Sequence, residues 1–279
     1  MNRFADEPSY RLTRHFFSGL FDFGFLSDAG VQSFKRLILG FYAVFFGIGL
    51  LLLRMYMGKY GSLMSLESPE KYLSAVIADH TFLIGAPMWI VAFVTILVGH
   101  AVFPDETDFR ILMALPITRR LVFGTKLAAL ALFSGLFIVG VQVSLGPLFV
   151  LTAIGPWAEQ TFPVRVGAYG VATLLGSLFA ILAVVAVQGV LLIGAPRGRL
   201  TTLAATLRSS MLCALVVSLP LLIRLPFQPR DLGNGAPWVF ATPPAWFMGL
   251  ERVLLADDRG HMQSLAAIAI GATVCVAIL

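Results

Sequence analysis

Histidines, cysteines and one charged stretch are the parts of this sequence whose residue types could do chemistry. His15, His80, His100 and His261 could ligate a metal or a haem, but no two have ligand spacing on one helix. Each sits at the end of an apolar run, which predicts interfacial imidazoles, His15 and His100 towards one membrane face and His80 and His261 towards the other. Cys213 and Cys275 lie within apolar runs and are expected to be buried, separate thiols acting as small hydrophobes, with neither a disulfide nor a metal site. Nucleophilic or acid–base catalysis, or a proton relay, would need intramembrane acids, and the expected span interiors contain no Asp or Glu. Gln142 and Gln188 are the notable polar residues within apolar runs. They could face a pathway, although hydrogen bonding between helices is the simpler role. The charged stretch runs from Phe103 to Leu121, "FPDETDFRILMALPITRRL", with acids first, an apolar middle and arginines last.

The elements that must position these residues follow from composition. Of 279 residues, 58% are hydrophobic and only 13% charged, with a mean hydropathy of +0.87. A water-facing surface needs more charge than that, so the chain is expected to be an integral membrane protein. Apolar runs at 37–53, 81–103, 127–154, 166–193, 203–223 and 262–279 lack strict alternation and are too long for strands. Helices satisfy their own backbone groups in lipid. The expected fold is therefore an all-α, polytopic transmembrane helix bundle of about six spans. Before it, residues 1–36 mix Phe16, Phe17, Phe21 and Phe23 with Arg14, Asp22 and Lys35, a pattern suited to an amphipathic segment in the membrane interface. The polar N-terminus shows no cleavable signal peptide.

Net charge is +5, yet no basic cluster occupies a soluble segment large enough to fold, so no nucleic-acid partner is expected; the surrounding partner is membrane lipid. A cytoplasmic N-terminus leaves twelve Lys and Arg residues inside, from Arg3 to Arg208, and eight outside, from Arg54 to Arg259. That excess favours the N-terminus in the cytoplasm. Residues 105–120 then form a cytoplasmic loop. Asp105, Glu106 and Asp108 suit the positive end of a helix, Thr107 or Asp105 can cap it, and Pro116 ends it. A short amphipathic helix is predicted over about 107–115. Ile111, Leu112, Met113, Leu115 and Ile117 need a surface to cover, either the membrane or a partner.

The run "DFRILMALPITRRLVFGTKLAAL" resembles the cytoplasmic loop of type-2 ABC transporter permeases, the membrane subunits of ATP-driven exporters. Asp108, Leu115, Pro116, Ile117, Arg119, Arg120 and Lys126 stand at the matching places. "TPPAWFMGLERVLLADD" is similar to a segment before a later span in some of these permeases, through Pro243, Pro244, Trp246, Phe247, Gly249 and Leu250. The resemblance implies a permease subunit of an ABC exporter in the plasma (inner) membrane, paired with a second copy or a related permease. Its coupling interface to a cytoplasmic ABC ATPase subunit would comprise Asp105, Glu106, Asp108, Arg110, Leu112, Leu115, Pro116, Arg119 and Arg120. This chain has no G-x-x-x-x-G-K-[ST] phosphate loop, so ATP and Mg are expected in the partner ATPase and neither cofactor nor metal in this chain. Ending inside its last apolar run at Leu279, the sequence departs from the family's layout and raises the expectation of a partial product. The alternative is a non-transport membrane protein, an assembly factor or regulator of a membrane complex; an intramembrane enzyme is disfavoured by the absence of intramembrane acids.

Overall fold

The computed structural model describes residues 12, 30–66, 68–98, 118–153, 157, 160–193, 200–257 and 259–278, and every regular element among them is helical. In chain order these are α1 (Gly30–Ser65), α2 (Pro69–Val98), α3 (Arg119–Ala153), α4 (Phe162–Ile193), α5 (Leu200–Arg224), α6 (Pro229–Asn234), α7 (Pro243–Leu254) and α8 (Gly260–Ile278), with 3-10 turns at Leu225–Phe227 and Pro237–Ala241. Six of them (α1 to α5 and α8) are long and apolar enough to cross a bilayer. The protein is an all-α, polytopic integral membrane protein.

Local chemistry sets where the helices begin. Ser68 precedes Pro69 and Glu70, and its carbonyl accepts the first intrahelical bond, from Tyr72 N–H at 3.1 Å. Proline suits the first helical turn because its missing N–H would be unpaired there anyway. Thr118 caps α3, its Oγ1 accepting Leu121 N–H at 3.3 Å. Thr242 precedes Pro243 and Pro244 in the same way at α7.

The helix α2 is the centre of the bundle. Of its spanning window 67% is buried, against 11% to 44% for the others, and it packs on α1, α3, α4, α5, α6 and α7. A helix apolar all round is buried all round, as Ile77, Ala78 and Leu83 on different faces are here. The peripheral α1 and α5 expose Leu50, Leu51, Val216 and Val217 where lipid would stand. Cys213 and Cys275 are likewise exposed, contrary to the expectation of burial, because in a spanning helix the outer surface is as apolar as the core.

Close packing uses only some of the small-residue pairs in the sequence. Ala168 and Ala172 on α4 are buried, and Gly176 lies against Met88 and Phe247, so that stripe brings α4 onto α2 and α7. A Cβ at Gly47 or Gly135 would meet nothing within 4 Å. The helices α1 and α3 instead approach at Gly49 against the Ser144 carbonyl and at Gly140 against the Tyr42 ring.

The second spanning helix starts at Pro69 rather than at Thr81, which carries Asp79 and His80 inside the bundle. Residues 30–36, taken from sequence as part of the interfacial segment, are continuous with α1; apart from residue 12, the remainder of 1–36 lies outside the described residues.

Candidate functional site

Two polar clusters and one cavity occupy the end of the bundle formed by the start of α2, the end of α3, the start of α4 and the α7–α8 turn. In the first cluster, the Asp79 carboxylate is fully buried. It accepts hydrogen bonds from Lys59 Nζ at 2.7 and 2.9 Å, from Tyr60 OH at 2.6 Å and from Tyr56 OH at 3.1 Å. Three donors from one face of α1 thus converge on one acid of α2, as positions 56, 59 and 60 allow on a helix. An ionised carboxylate can stay buried only with its charge matched and its lone pairs filled, and both conditions hold. Lys59 also lies over the Tyr56 and Tyr60 rings, 5.5 and 5.9 Å from their centroids, within cation–π range.

The second cluster is built on His80, the next residue of α2, and ties α2 to α3 and α7. His80 Nε2 lies 2.8 Å from Thr152 Oγ1, and Nδ1 lies 2.6 Å from Glu251 Oε1. Thr152 donates its single hydroxyl proton to the Phe149 carbonyl at 2.7 Å. Its oxygen is therefore the acceptor for His80 Nε2–H, and the second bond holds one proton between Nδ1 and Glu251. Burial pushes the Glu251 carboxyl up, but His80 by charge and hydrogen bond, then Arg252 and Arg165, bring it to a net value below its ordinary 4.5.

Thr152, His80 and Glu251 have the connectivity of a hydrolase triad. Space decides against that role for the cluster. Thr152 is 1% exposed and bonded to its own helix, and the void beside it measures about 30 Å³, which is the share of one water molecule. The cluster binds three helices to each other.

Beyond this void is a larger cavity of about 490 Å³ whose charged lining is Arg165, Arg252, Arg259 and Asp257. The turn that shapes it is a Schellman closure of α7: Asp257 N–H bonds the Arg252 carbonyl at 3.0 Å and Ala256 N–H bonds the Val253 carbonyl at 3.0 Å. Ala256 takes the left-handed position, φ 61°, where glycine is usual. Asp257 is occupied by Arg259, whose Nε lies 2.8 Å from Oδ1 and whose Nη2 contacts Oδ2. Burial pushes the Asp257 carboxyl up, but the Arg259 hydrogen bonds and charge hold it below its usual range. Arg252, 8% exposed, has no partner at Nε or Nη2, and Glu251 has none at Oε2. Burial in these surroundings lowers the Arg252 pKa, partly offset by Glu251 and Asp257.

Of the sequence-predicted loop residues, Asp105, Glu106, Asp108, Arg110, Leu112, Leu115 and Pro116 lie outside the described residues. Arg119 opens α3 and Arg120 is exposed on its first turn. Gln142 does bond between helices, its Oε1 accepting from Tyr169 OH of α4 at 3.0 Å; Gln188 is buried on α4. Among the described residues, Arg120, Gln142 and Gln188 do not belong to the polar clusters. Sequence reasoning missed Asp79, and placed no acid inside a span, because it began the second span after that residue; it missed Glu251 and Arg252 because they lie on α7, between the fifth and sixth expected spans. The correcting signal was present in Ser68-Pro69-Glu70, a helix-start pattern ahead of the apolar run. His80, expected at an interface, is buried for the same reason. The second family-like segment folds as α7, with Phe247 and Leu250 buried, Trp246 Nε1 donating to the Phe240 carbonyl at 2.7 Å and Gly249 pressed on α8.

The helices and the clusters they position define a polytopic membrane protein with a charged core at one end. No family model, curated protein or solved structure matches the chain.

Proposed function

We propose that this chain is the permease subunit of an ATP-driven ABC exporter, resident in the plasma (inner) membrane with its N-terminus in the cytoplasm. A separate cytoplasmic ATPase would bind ATP and Mg, and a second permease copy or a related permease would complete the pathway. The observation that supports this reading is where the charged loop attaches. The residues between Val98 and Arg119 join the end of α2 to the start of α3, so any displacement of the loop acts directly on the helix that touches six others. Asp79 and His80 lie about 28 Å further along the same helix at 1.5 Å per residue. A push at the loop is therefore transmitted along the same helix, past Pro87, to the buried polar clusters at the far end. ATP-driven closure of the partner subunits shifts the access equilibrium by as much as loop contacts differ between the two states. The apolar face of Leu112 and Leu115 packs into the partner, and Arg119 and Arg120 fix its register.

The test is a pair of double variants in the full chain. Leu112→Asp with Leu115→Asp, and Arg119→Glu with Arg120→Glu, should each release a co-purifying ATPase while the protein stays inserted in the membrane. Association that survives both pairs would put the contact elsewhere and remove the coupling role from this loop.

A further inference from the structure

We propose that the cavity between the start of α4 and the α7–α8 turn binds an organic phosphate, with the Arg252 guanidinium as its main donor. Arg252 and Arg259 line the cavity beside Arg165, and Asp257 is the one acid among the described residues of its wall. Asp257 is committed to Arg259 through two nitrogens of the guanidinium and through the Arg259 backbone N–H at 3.2 Å. Glu251, the neighbouring acid, gives Oε1 to His80. Arg252 is nine-tenths buried, lines this cavity, and keeps Nε and Nη2, both closed off from solvent, without a protein acceptor. A buried guanidinium without acceptors is costly, and its planar fork matches the oxygens of a phosphate.

The size of the space separates a bare ion from a substituted one. About 490 Å³ falls in the range of small-molecule sites and far exceeds one phosphate. Leu73, Trp157 and Leu255 supply an apolar wall for the substituent. The shared chemistry is a phosphate ester, and it has two sources: a phospholipid headgroup entering from the bilayer surface, or a water-soluble phosphate ester. This site does not depend on the transport reading. Loss of the ATPase partner would leave it intact, and its failure would leave the coupling loop untouched.

The experiment uses the full chain in maltoside detergent micelles, which carry no phosphate, and follows the thermal unfolding midpoint. One arm adds glycerol phosphate and the other adds phosphatidylglycerol. A saturable rise in midpoint in the first arm identifies a soluble ester; a rise only in the second identifies the lipid headgroup. Arg252→Gln should weaken the response about tenfold or more, the scale of a lost charge-assisted bond. Arg230→Gln, an exposed arginine on α6 outside the cavity, should leave it unchanged. Asp257→Asn should strengthen it, since it removes a negative charge from the cavity wall. That variant decides the matter even if Arg252→Gln fails to fold. No midpoint shift in either arm would overturn the site. So would equal losses in Arg252→Gln and Arg230→Gln, or an Asp257→Asn response no stronger than that of the unsubstituted protein.

Discussion

Replacing Asp79 with alanine strips the acceptor from three donors at once, and the structure apportions the cost. Tyr56 and Tyr60 are 1% and 2% exposed, so neither hydroxyl can find water, and each orphaned buried donor costs about 1–3 kcal/mol. Lys59 is different. Its side chain is 28% exposed and can swing its ammonium outwards, so the lysine adds little. The expected loss for Asp79→Ala is about 4 kcal/mol, carried mainly by the tyrosines. Lys59→Met produces the opposite fault: a fully buried carboxylate without its cation, costing about 3–5 kcal/mol. Once the carboxylate is gone that fault cannot arise, so adding Lys59→Met to Asp79→Ala should cost almost nothing more. The double variant is then less destabilised than the sum of the singles by about 3–5 kcal/mol. Equilibrium unfolding in mixed micelles of mild and denaturing detergent measures all three. Additive costs, or a loss below about 1 kcal/mol for Asp79→Ala, would refute a buried, charge-matched cluster.

Glu251→Gln should destabilise the protein at neutral pH, and the gap to the unsubstituted chain should close in acid. The folded carboxyl sits below its ordinary 4.5, so its stabilisation is complete above that value and is lost as pH falls through the folded one; thermal midpoints across that range give the comparison. Ala256→Gly removes a side chain from a left-handed position and should raise stability by about 1 kcal/mol, visible as a higher midpoint. Gly249→Ala would place a Cβ 2.5 Å from Leu265 Cβ and 3.0 Å from the Met262 carbonyl oxygen. Forcing α7 from α8 in this way should cost about 1–3 kcal/mol in the same assay.

The spans were legible because hydropathy and length are local properties, and lipid leaves few alternatives to a helix. The charged core was not, because it depends on which helices meet. His80 and Glu251 are far apart in sequence and lie 2.6 Å apart in space. Nothing in either residue's neighbours announces the other. Lys59 and Asp79 were nearer to being readable. The three donors Tyr56, Lys59 and Tyr60 share one helical face, and a helix beginning at Pro69 brings Asp79 into a span where it needs such a set. The stripe Ala168, Ala172 and Gly176 makes a real contact while Gly47 and Gly135 face open space, since spacing gives a face but not what the face meets.

The coupling claim is tested most directly by purifying the tagged full chain from native membranes in mild detergent and identifying what accompanies it. A stoichiometric ATPase subunit carrying a phosphate-binding loop should accompany it and be lost in the Leu112→Asp, Leu115→Asp variant. A chain that arrives alone, or with membrane proteins that hydrolyse no ATP, would contradict it and favour an assembly or regulatory role.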